Sequence, residues 1–167
     1  LAATAYDSLE VVEYGEQETT AAIREAAGRA KGEYLIFLPE GTGVDREDWL
    51  TVMAANAVRE KIGIVGPKLL GENGHVLSAG MAIGLRATAG SLFVGNDRDS
   101  VGYFSRTIIQ QEIGAVAFAG MMTEKHLYEE LGGLNESYGI NEAALEFCLK
   151  VRKRGKEVLF TPFVSLE

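Results

Sequence analysis

The sequence predicts one α/β domain, and three observations carry that prediction. Short runs rich in β-formers, Leu9 to Glu13, Tyr34 to Leu38 and Ile62 to Leu70, alternate with stretches of helical periodicity. The run at Tyr34 to Leu38 is apolar almost throughout, the pattern of a strand covered on both faces, and so predicts a place in the middle of the sheet. A chain of 167 residues with 47% hydrophobic content is enough for one core and too little for two ordinary ones. Strand, helix, strand, helix and strand in the first half imply a mostly parallel sheet built through right-handed crossovers, with a smaller mixed or antiparallel part in the second half.

In chain order, Leu9 to Glu13 reads as a strand, and Glu18 to Lys31 as an Ala-rich helix with Ala22, Ile23, Ala26, Ala27 and Ala30 on its apolar side, ended by Gly32. After the strand at Tyr34, Asp45 is the predicted N-cap of a helix carrying Trp49, Val52, Met53 and Val58. Ile62 to Leu70 is a strand whose Pro67 argues for an irregular edge. Glu72-Asn73-Gly74 signals a hairpin between Leu69-Leu70 and Val76-Leu77. Ala82 to Arg106 shows no sustained period and reads as a long excursion over a binding face. Gln111 to Phe118 reads as a strand, Glu124 to Leu131 as a short helix stopped by Gly132, and Asn141 to Arg154 as the last helix, with Leu145, Cys148, Leu149 and Val151 inward. Val158 to Thr161 closes the sheet.

Composition removes several function classes. Twenty-four acids against sixteen bases give a net charge of -8, which argues against nucleic acid, and the cluster Lys150 to Arg154 suits the solvated C-terminal end of a helix. The single cysteine, Cys148, lies in an apolar helical pattern and reads as a buried thiol in a reducing compartment. No run reaches the roughly 18 apolar residues of a membrane span, so the expectation is a cytoplasmic protein, at most peripheral to a membrane. Leu1 to Tyr6 reads as the end of a helix, and the expectation is a domain from a longer protein. His75 and His126 have no second ligand at a metal-binding spacing, and Gly41-Thr-Gly43 and Gly63-Ile-Val-Gly66 complete no phosphate-loop pattern, leaving turn and packing roles.

Several pieces in order carry a resemblance: Tyr6 to Val12, Ala30-Lys-Gly-Glu-Tyr-Leu-Ile-Phe-Leu38, Trp49-Leu50, Gly63-Ile-Val-Gly-Pro-Lys-Leu-Leu70, Ser78-Ala-Gly80, Gly132 to Glu136, and Glu146-Phe-Cys-Leu-Lys-Val-Arg152 with Gly155 and Thr161-Pro162. Together they resemble the family 2 glycosyltransferases, whose fold is called GT-A, over residues 1–167 as a single domain from which the family's first nucleotide-binding strand is missing. The resemblance implies transfer of a sugar from a nucleotide-sugar to a saccharide acceptor in polysaccharide or cell-surface glycan synthesis. It also implies a divalent cation, Mn or Mg, held by acids at a strand end, and a carboxylate general base at the start of the last helix.

The residues at those places differ from the family's pattern. Glu40 and Gly41 stand where two acids are expected, so Glu40 is left as a weak metal ligand and, with Gly41, as part of the nucleotide-sugar site. Glu13 and Tyr14 stand at the nucleotide-proximal turn, Ser78 replaces a His, and Ala143 and Ala144 stand where the base pair is expected, the base itself at Ala144. Glu142 is the candidate substitute base, sharing a helix face with Glu146. Two functions follow: a transferase working through Glu40 and an unusual base, or a non-catalytic sugar-binding or scaffold module accessory to an adjacent, intact glycosyltransferase domain.

Overall fold

The computed structural model describes residues 4–6, 8–15, 19–85 and 88–167. Its elements are α1 (Thr20–Arg29), β1 (Tyr34–Ile36), α2 (Trp49–Ala57), β2 (Ile62–Leu70), β3 (Val76–Ser78), β4 (Met81–Ile83), β5 (Ala89–Ser91), β6 (Gln111–Glu112), β7 (Met122–Glu124), α3 (Lys125–Glu130), α4 (Ile140–Lys153) and β8 (Glu157–Leu166). The main sheet runs β1-β7-β2-β8-β6, with β3 added on β2, and β4 and β5 form a separate hairpin. Among the described residues only the pairing of β2 with β8 is parallel in this sheet. The class is α/β, but the sheet is mixed: β7 inserts antiparallel between β1 and β2, which keeps those two codirectional without pairing them.

Two apolar clusters sandwich the sheet. On one face Ile23 and Ala27 of α1, Leu127 and Tyr128 of α3, and Ala143, Ala144, Phe147, Cys148 and Val151 of α4 pack with Leu35, Phe37 and Ile64. On the other, Trp49, Leu50, Met53 and Ala57 of α2 meet Ile62, Val65, Leu159, Val164 and Leu166. Burying a side chain the size of Trp49 or Phe147 contributes about 3 kcal/mol. Gly63 and Gly66 serve packing, as expected: a Cβ on Gly63 would lie 2.4 Å from Val151, and one on Gly66 2.5 Å from Val116. Among the described residues no helix is long and apolar enough to cross a membrane.

Several expectations are corrected. Residues 9–13 form no strand, and β1 therefore sits at the sheet's edge rather than in its middle. Pro67 lies inside a strand with partners on both sides; it is tolerated because the β2–β8 register shifts between Gly66 and Lys68, a bulge that asks no ladder donor of the proline. The helix after Asp45 begins at Trp49 with Asp48 as N-cap; Asp45 instead accepts from Ser165 N at 3.2 Å, tying this loop to β8. The excursion from Ala82 to Arg106 contains the β4–β5 hairpin, a short 3-10 turn at Tyr103–Ser105 and the bridge His75↔Asp97. The strand expected over Gln111 to Phe118 shortens to two residues, and β8 extends well beyond Thr161, to Leu166. Leu149 is exposed; Phe147 takes the inward position instead.

Candidate functional site

β1 ends at Ile36, and the turn after it is shaped by its own sequence. Thr42 N and Oγ1 both donate to the Pro39 carbonyl, at 3.4 and 2.7 Å, and Gly41 adopts φ 78°, a conformation that suits glycine. This leaves Glu40 exposed at the tip. The turn is locked to the end of β8 by a reciprocal pair: Gly43 N donates to Glu167 O at 2.7 Å and Glu167 N to Gly43 O at 3.1 Å. A cavity of about 300 Å³ opens here, lined by Pro39, Glu40, Gly41, Thr42, Leu70 and Glu167 among others. It lies outside the C-terminal ends of β1, β2 and β8, where open α/β sheets bind ligands.

Three charged residues not anticipated from the sequence stand beside it. Lys68 is buried in β2, and its Nζ donates to the Arg98 carbonyl at 3.1 Å. Burial pushes its ammonium below the usual lysine range, partly opposed by Asp99. Arg98 Nη1 donates to Glu167 Oε1 at 3.3 Å. Lys68 carried a signal, a lone cation in an apolar strand; the Arg98–Glu167 pair carried none, because it joins positions 69 residues apart in the chain.

The predicted site residues are scattered. Tyr14 is half-buried, and its hydroxyl donates to Leu38 O at 2.9 Å, which fixes it against the strand leading to Glu40. Glu13 is exposed and lends its carbonyl to Arg29 at 2.9 Å. Ser78 is a buried, satisfied hydroxyl, donating to Gly80 O at 3.2 Å. Glu142 is exposed in the first turn of α4, with Oε2 2.6 Å from where a Cβ on Gly139 would lie. Glu146 pairs with Lys150 at 3.0 Å. α4 contributes no residue to the lining of the Glu40 cavity, so the structure does not bring Glu142 together with Glu40 there. Ala143 and Ala144 are 0% and 1% exposed, part of the core and not of a cleft.

The acids around the cavity do not fit a divalent-metal centre. Among the described residues no group of three or more His, Cys, Asp or Glu side chains is placed to hold an ion. Glu40 is one carboxylate, and Glu167 already answers Arg98. A hard cation needs six or more oxygens, and here it would draw nearly all of them from elsewhere. His75 pairs with Asp97 at 3.1 Å, and His126 is exposed on α3.

No family model matches the chain. In sequence it is 33% identical over 142 residues to an uncharacterized protein, y4gI, of Sinorhizobium fredii (strain NBRC 101917 / NGR234), a match covering 84% of this chain and 16% of that protein. It is 30% identical over 137 residues to the O-antigen biosynthesis protein RfbC of Myxococcus xanthus, covering 81% of this chain and 11% of that one. The chain thus spans under a fifth of the length of these curated relatives. Its structure is similar to that of GalNAc-T7, crystallised with UDP, GalNAc and Mn2+, with a TM-score of 0.66 and 19% identity over 88% of this chain and 29% of that one. That likeness gives the fold, and the sequence matches add a tie to a protein of O-antigen synthesis. The mixed sheet, the strand-end turn and this structural likeness give the chain a GT-A-like fold.

Proposed function

We propose that this domain binds a nucleotide-sugar at the rim around Glu40 and takes part in polysaccharide or cell-surface glycan synthesis with its own transfer chemistry impaired. The observation that carries the impairment is the burial of Ala143 and Ala144 at the start of α4, where the family resemblance calls for a carboxylate base. A base must reach an acceptor hydroxyl, and these positions reach only core. Glu142 is solvent-exposed, yet it lies outside the cavity that holds Glu40. Binding is the function this leaves to the cavity, with the Glu40 turn and the Arg98–Glu167 pair as its polar edge.

The second reading, an accessory module beside an intact transferase domain, is supported by the small fraction of its relatives that the chain spans. Calorimetric titration with UDP, GDP and their sugars, with and without Mn2+, tests the proposal. Binding of similar strength with and without Mn2+, without turnover of the sugar, is expected. Sugar transfer lost in Glu142→Gln would overturn the impairment, and absence of binding across the panel would leave the accessory role.

A further inference from the structure

Beyond the nucleotide end of the site, one exposed segment is built more tightly than its exposure alone would require. Tyr103 and Phe104 are 73% and 76% exposed, the most exposed of the large apolar side chains described. Their rings meet edge to face, centroids 4.4 Å apart and planes at 89°, so that one ring forms a floor and the other a wall. Phe104 and Ser105 both hold left-handed backbone, φ 51° and 59°, a conformation costly for residues with a Cβ. The base beneath them is close-packed. Thr107 is fully buried, its hydroxyl donating to the Ser100 carbonyl and its N to Val101 O at 3.4 Å. Gly102 has no room for a side chain, since a Cβ there would lie 2.7 Å from Thr107 Cγ2.

The loop starts from the wall of the Glu40 cavity. It leaves Ser100 just after Arg98, whose carbonyl is held by Lys68 and whose guanidinium is held by Glu167 of the cavity wall. It returns through β6, which runs antiparallel to β8 with Gln111 opposite Phe160; tracing back from there leads toward the C-terminal end of β8.

We propose that the Tyr103–Phe104 corner is a saccharide platform, the place where the acceptor or glycan chain rests while a nucleotide-sugar occupies the Glu40 cavity; this rests on the reading of that cavity given above. The C–H bonds of a pyranose are polarised by their neighbouring oxygens, and the negative face of an aromatic ring attracts them, so a ring-sized floor with a ring-sized wall suits one sugar residue. Anionic membrane is disfavoured by the net charge of -8. A protein partner is the competing occupant, on account of exposed Val101, Ile108 and Ile109 nearby, but aliphatic contacts do not require two perpendicular aromatic rings on a strained turn.

The test is ligand-observed NMR saturation transfer on the whole chain, using maltotriose, N,N′-diacetylchitobiose and N-acetylgalactosamine at millimolar concentration as probes, with UDP binding measured in parallel by calorimetry. At least one sugar is expected to bind wild type. Tyr103→Ala and Phe104→Gly are each expected to weaken it at least tenfold while UDP binding stays as in wild type. Phe104→Gly relieves the left-handed strain, so an unchanged or raised Tm alongside lost sugar binding separates a binding role from a structural one. Tyr103→Phe keeps the ring and is expected to bind as wild type. Sugar signals that persist in both truncations, or are absent in wild type while UDP binds, overturn the platform and leave the Glu40 cavity standing. Sugar binding without UDP binding overturns only the nucleotide reading. Concentration-dependent self-association lost in Phe104→Gly, with no sugar bound, assigns the corner to a protein interface instead.

Discussion

Installing an acid at Ala144 tests whether the start of α4 is a closed core or a cleft. Ala144 is 1% exposed and shares a helix face with Cys148, one turn on. Burial pushes the Cys148 thiol up to about 11 from an ordinary 9.0. Each pKa unit is worth about 1.4 kcal/mol, so desolvation of that size costs a carboxylate at the neighbouring position about 3 kcal/mol near neutral pH. The sign is fixed by linkage: the folded Ala144→Asp carboxyl has its pKa raised above the unfolded ~3.9, so the charge penalty is absent below that pH. It grows as pH rises toward the folded value and is constant above it. Ala144→Asn is the control, since an amide has similar volume and costs about 1 to 3 kcal/mol at every pH. Urea unfolding of the three proteins at pH 4 and pH 7.5 is expected to show Asp and Asn alike in acid and Asp clearly less stable at the higher pH. An Asp variant as stable as wild type at pH 7.5 would refute the reasoning, because its carboxylate would then be in water, and a base position would be open at that point of α4.

Other perturbations follow from the same packing. Gly66→Ala places a Cβ 2.5 Å from Val116 and is expected to cost about 1 to 3 kcal/mol in thermal or urea unfolding, recovered in part by Val116→Ala. Cys148 is fully buried, and its raised pKa keeps the thiol protonated; stability is unaffected at neutral pH and falls as pH rises from the ordinary 9.0 to the folded value of about 11. Labelling with iodoacetamide at pH 8 is therefore expected to track global unfolding, not native exposure. Tyr14→Phe removes the 2.9 Å bond to Leu38 O and is expected to lower stability by about 1 kcal/mol, read by urea unfolding.

The parts of the fold that could be read from sequence are those whose physics is local. α1 and α4 announce themselves through apolar periodicity, the hairpin through Asn73-Gly74, and the packing glycines through their neighbours in an apolar strand. What could not be read is what depends on pairing across the chain. Met122–Glu124 is three residues long, too short for a period to show, yet its insertion between β1 and β2 extends the antiparallel part expected of the second half into the centre of the sheet. The site behaves the same way. Glu40 at a strand end was readable, and so was the departure at Ala143-Ala144. The closure of the turn by Glu167, and of Glu167 by Arg98, was not, because those partners meet only once β8 lies beside β2.

β1 shows why an apolar run misleads about sheet position, and amide exchange can test the explanation. Leu35 and Phe37 enter one core cluster while Tyr34, Ile36 and Leu38 pack on the other, so both faces of the strand are covered. Covered faces make a run apolar; they say nothing about whether both edges are paired. The β7 ladder is bracketed by Lys125 N to Glu33 O at 2.8 Å and Phe37 N to Met121 O at 3.1 Å, and antiparallel alternation then turns Leu35 toward β7 and the N–H groups of Tyr34 and Ile36 away from it. On that side, where no described strand pairs with β1, lies a groove of about 150 Å³, walled by Leu9, Val12 and Tyr14 and by Ile23 and Ala27 of α1. Water in the groove can reach those two amides. Native-state exchange is expected to show Tyr34 and Ile36 exchanging orders of magnitude faster than Leu35 and Phe37, a sawtooth along a single strand. Uniform protection from Tyr34 to Phe37 would mean that the outer edge is paired after all, and that the apolar run had marked a central strand as the sequence suggested.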